Sequence, residues 1–101
     1  MTVAAQRLVI VDGVRTPFAR MGTDLAELDA DELGRIAVQA LLGRTGIDPD
    51  LIDEVIIGCV GQPMGATNVS RVIALRAGIA RHVPAITVSR NCASGCEAMT
   101  Q

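Results

Sequence analysis

Cys92 is the side chain in this sequence whose setting best suits nucleophilic chemistry. It lies in Ile86-Thr87-Val88-Ser89-Arg90-Asn91-Cys92-Ala93-Ser94-Gly95-Cys96-Glu97-Ala98-Met99, whose first half alternates and is β-branched, as a strand is. After Cys92 the residues become small, and Ala93, Glu97 and Ala98 favour a helix with Asn91 or Ser89 near its cap. The cysteine is therefore expected at a strand-to-helix turn, with the helix beginning at about residue 92. A free thiol is a poor nucleophile at neutral pH because the thiolate is the reacting form. A helix start offers unpaired amides and the positive end of the macrodipole, both of which favour the anion. Ala93, Ser94 and Gly95 leave room for a bulky acyl group and let backbone amides approach a developing oxyanion, so Ser94 and Gly95 are the candidates for that support. The same surroundings also suit a small buried hydrophobe, the common fate of a free cysteine.

The remaining reactive side chains carry less. Cys92 and Cys96 are four apart and would share a helix face, and with Cys59 and the single His82 they offer at most four metal ligands. No carboxylate or aromatic frame accompanies them, and no metal site is expected. Cys59 follows an apolar run and reads as a core residue. His82 stands in a connection before Val83-Pro84 with no carboxylate beside it, which suits a surface residue better than a general base.

The elements that must position Cys92 are legible as alternating strands and helices. Arg7 to Val14 contains the unbroken apolar run Leu8-Val9-Ile10-Val11, expected as a strand covered on both faces, and Gly13 and Pro17 end it. Asp29 or Asp31 caps a helix with Leu33, Ile36, Ala37, Ala40 and Leu41 as its apolar stripe. Gly43 and Gly46 offer stops, and Asp48-Pro49 prevents a restart. Glu54 to Val60 is a second strand, Gly61 to Thr67 a turn-rich loop, and Asn68 the cap of a helix bearing Val69, Val72, Ile73 and Ala77. Arg71 and Arg76 on that helix are expected to be solvated. Ala85 to Ser89 is the third strand. Strand, helix, strand in that order implies parallel pairing through right-handed crossovers, and the C-terminal end of such a sheet is where reactive groups are presented.

Composition bounds the partners and the setting. The chain has 101 residues, half of them apolar, with Phe18 the one aromatic side chain and a formal net charge of −2. The core must therefore be aliphatic, as in layered α/β folds. Neither sign of charge clusters, so no nucleic acid is expected as a partner. Arg and Asp interrupt every apolar run before the ~18 residues a spanning helix needs, and no signal segment opens the chain. Three cysteines make an odd count, which argues against a disulfide framework and for a reducing, cytoplasmic setting.

Arg90-Asn91-Cys92-Ala93-Ser94-Gly95 resembles the nucleophile segment of thiolases. Val9-Ile10-Val11-Asp12-Gly13-Val14-Arg15-Thr16-Pro17-Phe18 is similar to the thiolase opening, and Ile57-Gly58-Cys59-Val60-Gly61-Gln62 with Asn68 and Arg71 matches a third segment. The matches come in family order and cover nearly all of the chain. Ser89 replaces a common Asn, Cys96 a common Leu or Met, and Thr23 a usual glycine, which bears on subfamily and acyl-chain preference.

The resemblance implies an α/β fold, the beginning of the thiolase-like βαβαβ layered fold, with a mostly parallel sheet and helices on both faces. It implies an acyltransferase that takes the acyl group of an acyl-CoA onto Cys92 and passes it on, in Claisen condensation or in thiolysis of a 3-ketoacyl-CoA. Acyl-CoA and CoA are then the substrates, with no further cofactor, and a homo-oligomer (dimer or tetramer) is the expected assembly. The loop with Met64 would lie near the active site, so Met64 is a candidate for lining an acyl pocket, although Met is also a common gap filler. Arg71 matches a family position that pairs across an interface.

The family also uses a histidine and a second cysteine far downstream. Cys96, one turn from Cys92, does not fit that second role. The chain is accordingly expected to be the N-terminal part of a thiolase N-terminal domain, residues 1–101, inactive or poorly folded alone. The alternatives are a non-catalytic thiolase-like paralogue that binds acyl-CoA or lipid, and a structural α/β remnant with inert cysteines.

Overall fold

Two short strands, β1 (Val55–Gly58) and β2 (Ala85–Val88), pair in parallel with Val55 opposite Ala85 and Gly58 opposite Val88. They belong to a computed structural model that describes residues 6–101. The bond from Cys59 N–H to Val88 O (3.0 Å) extends the ladder by one residue. Both strands fall inside their expected ranges, and the chain crosses between them through a helix, as parallel pairing requires.

Three α-helices surround the pair: α1 (Ala30–Thr45), α2 (Val69–Arg76) and α3 (Ser94–Thr100), with a 3-10 turn at Pro49–Leu51. The core is centred on α2. Ala66, Val69 and Ile73 form one buried cluster, and Ala74, Ile79 and Val83 a second, with Val38 of α1 packed against both. Val55 and Ile57 of β1 face these clusters. Successive strand residues alternate sides, so Gly58 faces the other way, and a Cβ built there would run into the backbone of α3 at Ser94 and Gly95. Helices thus lie on both faces of the sheet.

The helix ends follow the glycines. Gly46 adopts the left-handed conformation (φ 68°) and its N–H bonds to Leu42 O, closing α1. At the end of α2, Ile79 N–H reaches Ala74 O (3.0 Å) and Gly78 N–H reaches Leu75 O (3.3 Å). With Gly78 at φ 90°, this is the double C-terminal bond pattern that glycine permits without a Cβ penalty.

Four expectations are corrected. The segment from Arg7 to Val14 forms no strand: Leu8, Val9, Ile10 and Val11 are 95, 77, 79 and 72% exposed, and none of their backbone groups pairs with β1 or β2. Strand propensity describes how residues fit a pleated neighbour, and here no neighbouring edge is engaged. The segment is tied through Asp12, whose carboxylate accepts from Arg44 Nε at 2.7 Å.

The stripe of α1 is also rotated. Ile36 and Ala40 are exposed, whereas Gly34, Val38 and Leu42 face α2 and the core. A Cβ at Gly34 would collide with the Ile73 side chain, so the two helices meet where α1 is smallest rather than where it is most apolar.

Arg71 is not free in solvent: it is half-buried and donates to Val83 O and Arg81 O, both at 2.8 Å, whereas Arg76 is exposed as expected and pairs at the surface with Asp31 and Glu32 of α1. Asn68, finally, precedes α2 but its side chain does not cap it. Instead its Nδ2 donates to Ala85 O (3.2 Å) and its Oδ1 accepts from Thr87 Oγ1 (2.8 Å). Thr87 of β2 supplies the missing cap, its Oγ1 accepting from Ser70 N–H (3.1 Å). No helix among the described residues is long and apolar enough to cross a membrane.

Candidate active site

After Val88 the chain makes a tight turn before α3. Ala93 N–H bonds to Arg90 O (2.9 Å) and Ser94 N–H to Asn91 O (3.2 Å). Asn91 takes a positive φ of 45°, a conformation that asparagine tolerates better than other non-glycine residues. The turn holds Cys92 with its residue exposed, directly beyond the C-terminal end of β2. The helix itself begins at Ser94, preceded by Ala93, so the start expected at about 92 falls two residues later and Cys92 stands ahead of the helix instead of opening it. The displaced start has a local cause: residues 90–94 spend their bonds on the turn before Glu97 N–H opens the helical ladder at Ala93 O (2.9 Å).

Ser94 is 5% exposed. Its Oγ accepts from Arg90 N–H (2.8 Å) and donates to Asn91 O (2.7 Å). Arg90 Nε donates to Glu97 Oε2 at 2.6 Å, spanning the turn from outside. That bond holds the Glu97 carboxyl below its usual range, partly opposed by desolvation and helped by Gln101, and it raises the Arg90 guanidinium in turn. A Cβ built on Gly95 would meet nothing within 4 Å, so the helix start beside Cys92 is open on that side.

The other sequence candidates do not converge on Cys92. His82 is exposed in the turn that leads into β2, at the end of the strand opposite to Cys92, about 13 Å of strand away. Cys59 is half-buried against the core, its Sγ 3.5 Å from Gly61 O. It lines an apolar recess between α1, α2 and β1 of about 310 Å³. Met64 is 97% exposed in its loop and lines neither that recess nor the one beside Val11 and Leu42. Cys96 is exposed on α3. No group of three or more His, Cys, Asp or Glu among the described residues is placed to hold a metal ion.

Two contributors to the turn were missed by sequence reasoning, Gly58 and the Arg90–Glu97 pair, as was Thr87, which caps α2. A glycine inside an apolar strand was the available signal, because it marks a close backbone approach. The ion pair joins residues seven apart across a turn, outside the i,i+3 and i,i+4 spacings at which a helix brings side chains into contact.

Comparison with known proteins bears on what such a turn belongs to. The family model described as "Thiolase, N-terminal domain" matches residues 8–101. The 3-ketoacyl-CoA thiolase of Serratia proteamaculans is 45% identical over 93 residues, 92% of this chain and 21% of its own length. That of Vibrio cholerae is 41% identical over 97 residues, 96% of this chain and 22% of its own length. Among solved structures, an acetyl-CoA acetyltransferase from Bacillus anthracis superposes with a TM-score of 0.82 at 34% identity, covering 86% of this chain and 22% of that one. The Acat5 thiolase from Ascaris suum, solved in complex with coenzyme A, gives 0.82 at 28% identity, covering 86% and 23%. The chain spans between a fifth and a quarter of the length of these relatives. With residues 8–101 accounted for by that one domain description, the chain belongs to the thiolase family, within its N-terminal domain.

Proposed function

We propose that this segment supplies the acyl-accepting cysteine of a thiolase-type acyltransferase, with Cys92 as nucleophile and acyl-CoA and CoA as substrates. The observation that carries the reading is an exposed cysteine on a braced turn beyond the C-terminal end of a parallel strand pair, within a stretch that matches the thiolase N-terminal domain. Relatives named 3-ketoacyl-CoA thiolase and a relative solved with coenzyme A agree with the substrate class.

In the degradative direction, Cys92 Sγ attacks the 3-keto carbonyl of a 3-ketoacyl-CoA. The bond from that carbon to C2 breaks, the C2 carbanion takes up the proton that the thiol gave, and acetyl-CoA leaves. The thiol of a second CoA then attacks the acyl thioester on Cys92, releasing a shortened acyl-CoA and restoring the cysteine. Condensation is the reverse. The small residues Ala93 and Gly95 leave space for the acyl group. His82, at the far end of β2, takes no part in the proton transfers.

The test uses the product of the complete reading frame that contains this segment. Incubation with acetoacetyl-CoA followed by mass spectrometry is expected to find one acetyl group on the peptide bearing Cys92. Thiolysis is expected to disappear in Cys92→Ala. Thiolysis that survives this substitution refutes the assignment, and acyl-CoA binding without any turnover in the unsubstituted protein favours a binding paralogue instead.

A further inference from the structure

We propose that the Ser94 side chain is a positioning residue for Cys92, acting as an internal brace of the turn and never as a donor to substrate. The proposal rests on the reading of Cys92 as the nucleophile. The geometry behind it is that both functions of one buried hydroxyl are already committed: it accepts from Arg90 N–H at 2.8 Å and donates to Asn91 O at 2.7 Å. The Ser94 amide is committed too, to Asn91 O at 3.2 Å. With its single hydrogen and its amide both engaged inside the turn, Ser94 has no donor left for an oxyanion.

What the hydroxyl does instead follows from where its partners lie. Arg90 and Asn91 are the two residues immediately before Cys92, and Ser94 the second after it, so one side chain ties the entry of the turn to its exit. The backbone at Asn91 is held at φ 45°, away from the regions preferred by L-residues. A turn containing such a residue keeps one shape only when its surroundings over-determine it. Ser94 supplies two of those constraints, and β1 supplies another from beneath, where Gly58 abuts the Ser94 backbone. Without the hydroxyl, the Arg90 N–H loses its partner and the Asn91 C=O keeps only the Ser94 N–H, and the backbone of the turn relaxes in response. Because the reacting sulfur is on that backbone, its direction relaxes as well, and misplacement by an ångström or less is enough to slow an attack geometrically.

The experiment compares Ser94→Ala, Ser94→Thr and Cys92→Ser in the product of the complete reading frame. Steady-state thiolysis is measured together with the rates at which iodoacetamide labels Cys92 and Cys59. Ser94→Ala is expected to lower kcat by about tenfold with KM unchanged, and to change the labelling rate of Cys92 while leaving that of Cys59 as it was. Ser94→Thr, which keeps the hydroxyl, is expected to restore most of the loss. The proposal is overturned if Ser94→Ala leaves kcat and Cys92 labelling unchanged, if KM alone rises, or if the variant unfolds so that Cys59 labels as fast as Cys92. Activity surviving in Cys92→Ser sinks the underlying nucleophile reading, whereas its loss there combined with an unaffected Ser94→Ala sinks only the brace.

Discussion

Adding a single methyl group at Gly58 should disturb Cys92 without touching it. A Cβ at this position would lie 2.7 Å from Gly95 N and closer still to the carbonyl carbon and oxygen of Ser94, when real contacts of this kind essentially never fall below 3.0 Å. All three opposing atoms are backbone, so no rotamer change relieves the clash. The strand and the start of α3 must instead move apart by something on the order of 0.5 Å. Overpacking of this kind costs about 1–3 kcal/mol. Gly58→Ala is therefore expected to lower the free energy of unfolding in urea by that amount. It should also alter the rate at which iodoacetamide labels Cys92, because the displaced backbone is the floor of the cysteine turn. Alanine has no intrinsic disadvantage in a strand relative to glycine. Any loss therefore reports the close approach and not the strand's own preference. Stability within 0.5 kcal/mol of the parent protein, with labelling unchanged, would refute the claim that β1 and α3 meet backbone to backbone.

Substitutions at two further positions test the polar framework. Thr87→Val keeps the shape but removes the oxygen that accepts from Ser70 N–H and the hydrogen given to Asn68 Oδ1; it is expected to cost about 1–3 kcal/mol in urea unfolding, and Thr87→Ser much less, with equal costs for both counting against the cap. Glu97, whose carboxyl is held low chiefly by the Arg90 bond, contributes stability that is present above the unfolded carboxylate value of about 4.3 and is lost as pH falls through the lower folded value. Glu97→Gln should flatten that part of the acid unfolding curve, and an unchanged curve would show that the pair is inert.

How much of this was legible from the residues depended on whether the deciding interaction was local. Gly46 and Gly78 announce helix ends because the left-handed backbone they adopt is a property of one residue. The apolar blocks around Ile56 and Thr87 announce strands, and the helix between them announces parallel pairing, for similarly short-range reasons. The segment Leu8–Val11 has an equally strong strand composition and forms none, since a ladder bond needs an edge that composition cannot supply. Asn68 has the right type and place for a cap, yet its side chain is drawn to Ala85 and Thr87, seventeen and nineteen residues away. On α1, counting apolar residues favoured the face with Ile36, but a glycine allowed closer helix approach on another. Cys92 and Ser94 were identifiable by type and neighbourhood, while the bonds that engage Ser94 depend on the positive φ at Asn91, which the sequence permits without dictating.

The turn that bears Cys92 owes its shape to directional bonds more than to apolar burial. Ser94 is its one buried residue; Arg90, Asn91, Cys92 and Ala93 are all exposed. Apolar packing is tolerant of small shifts, because its energy scales with area and not with direction. Hydrogen bonds to a tight turn are not tolerant, since they weaken steeply with angle. The bonds also form a connected series: Ser70 Oγ to Val55 O on β1, Ser70 N–H to Thr87 on β2, Thr87 to Asn68, and beyond β2 the Ser94 brace resting on Gly58. Both strands are thus fixed to the same short helix α2 before β2 delivers its end to the turn. An exposed sulfur can then keep a defined direction without being buried, which suits a group that must meet a bulky thioester from solvent and still attack along one line.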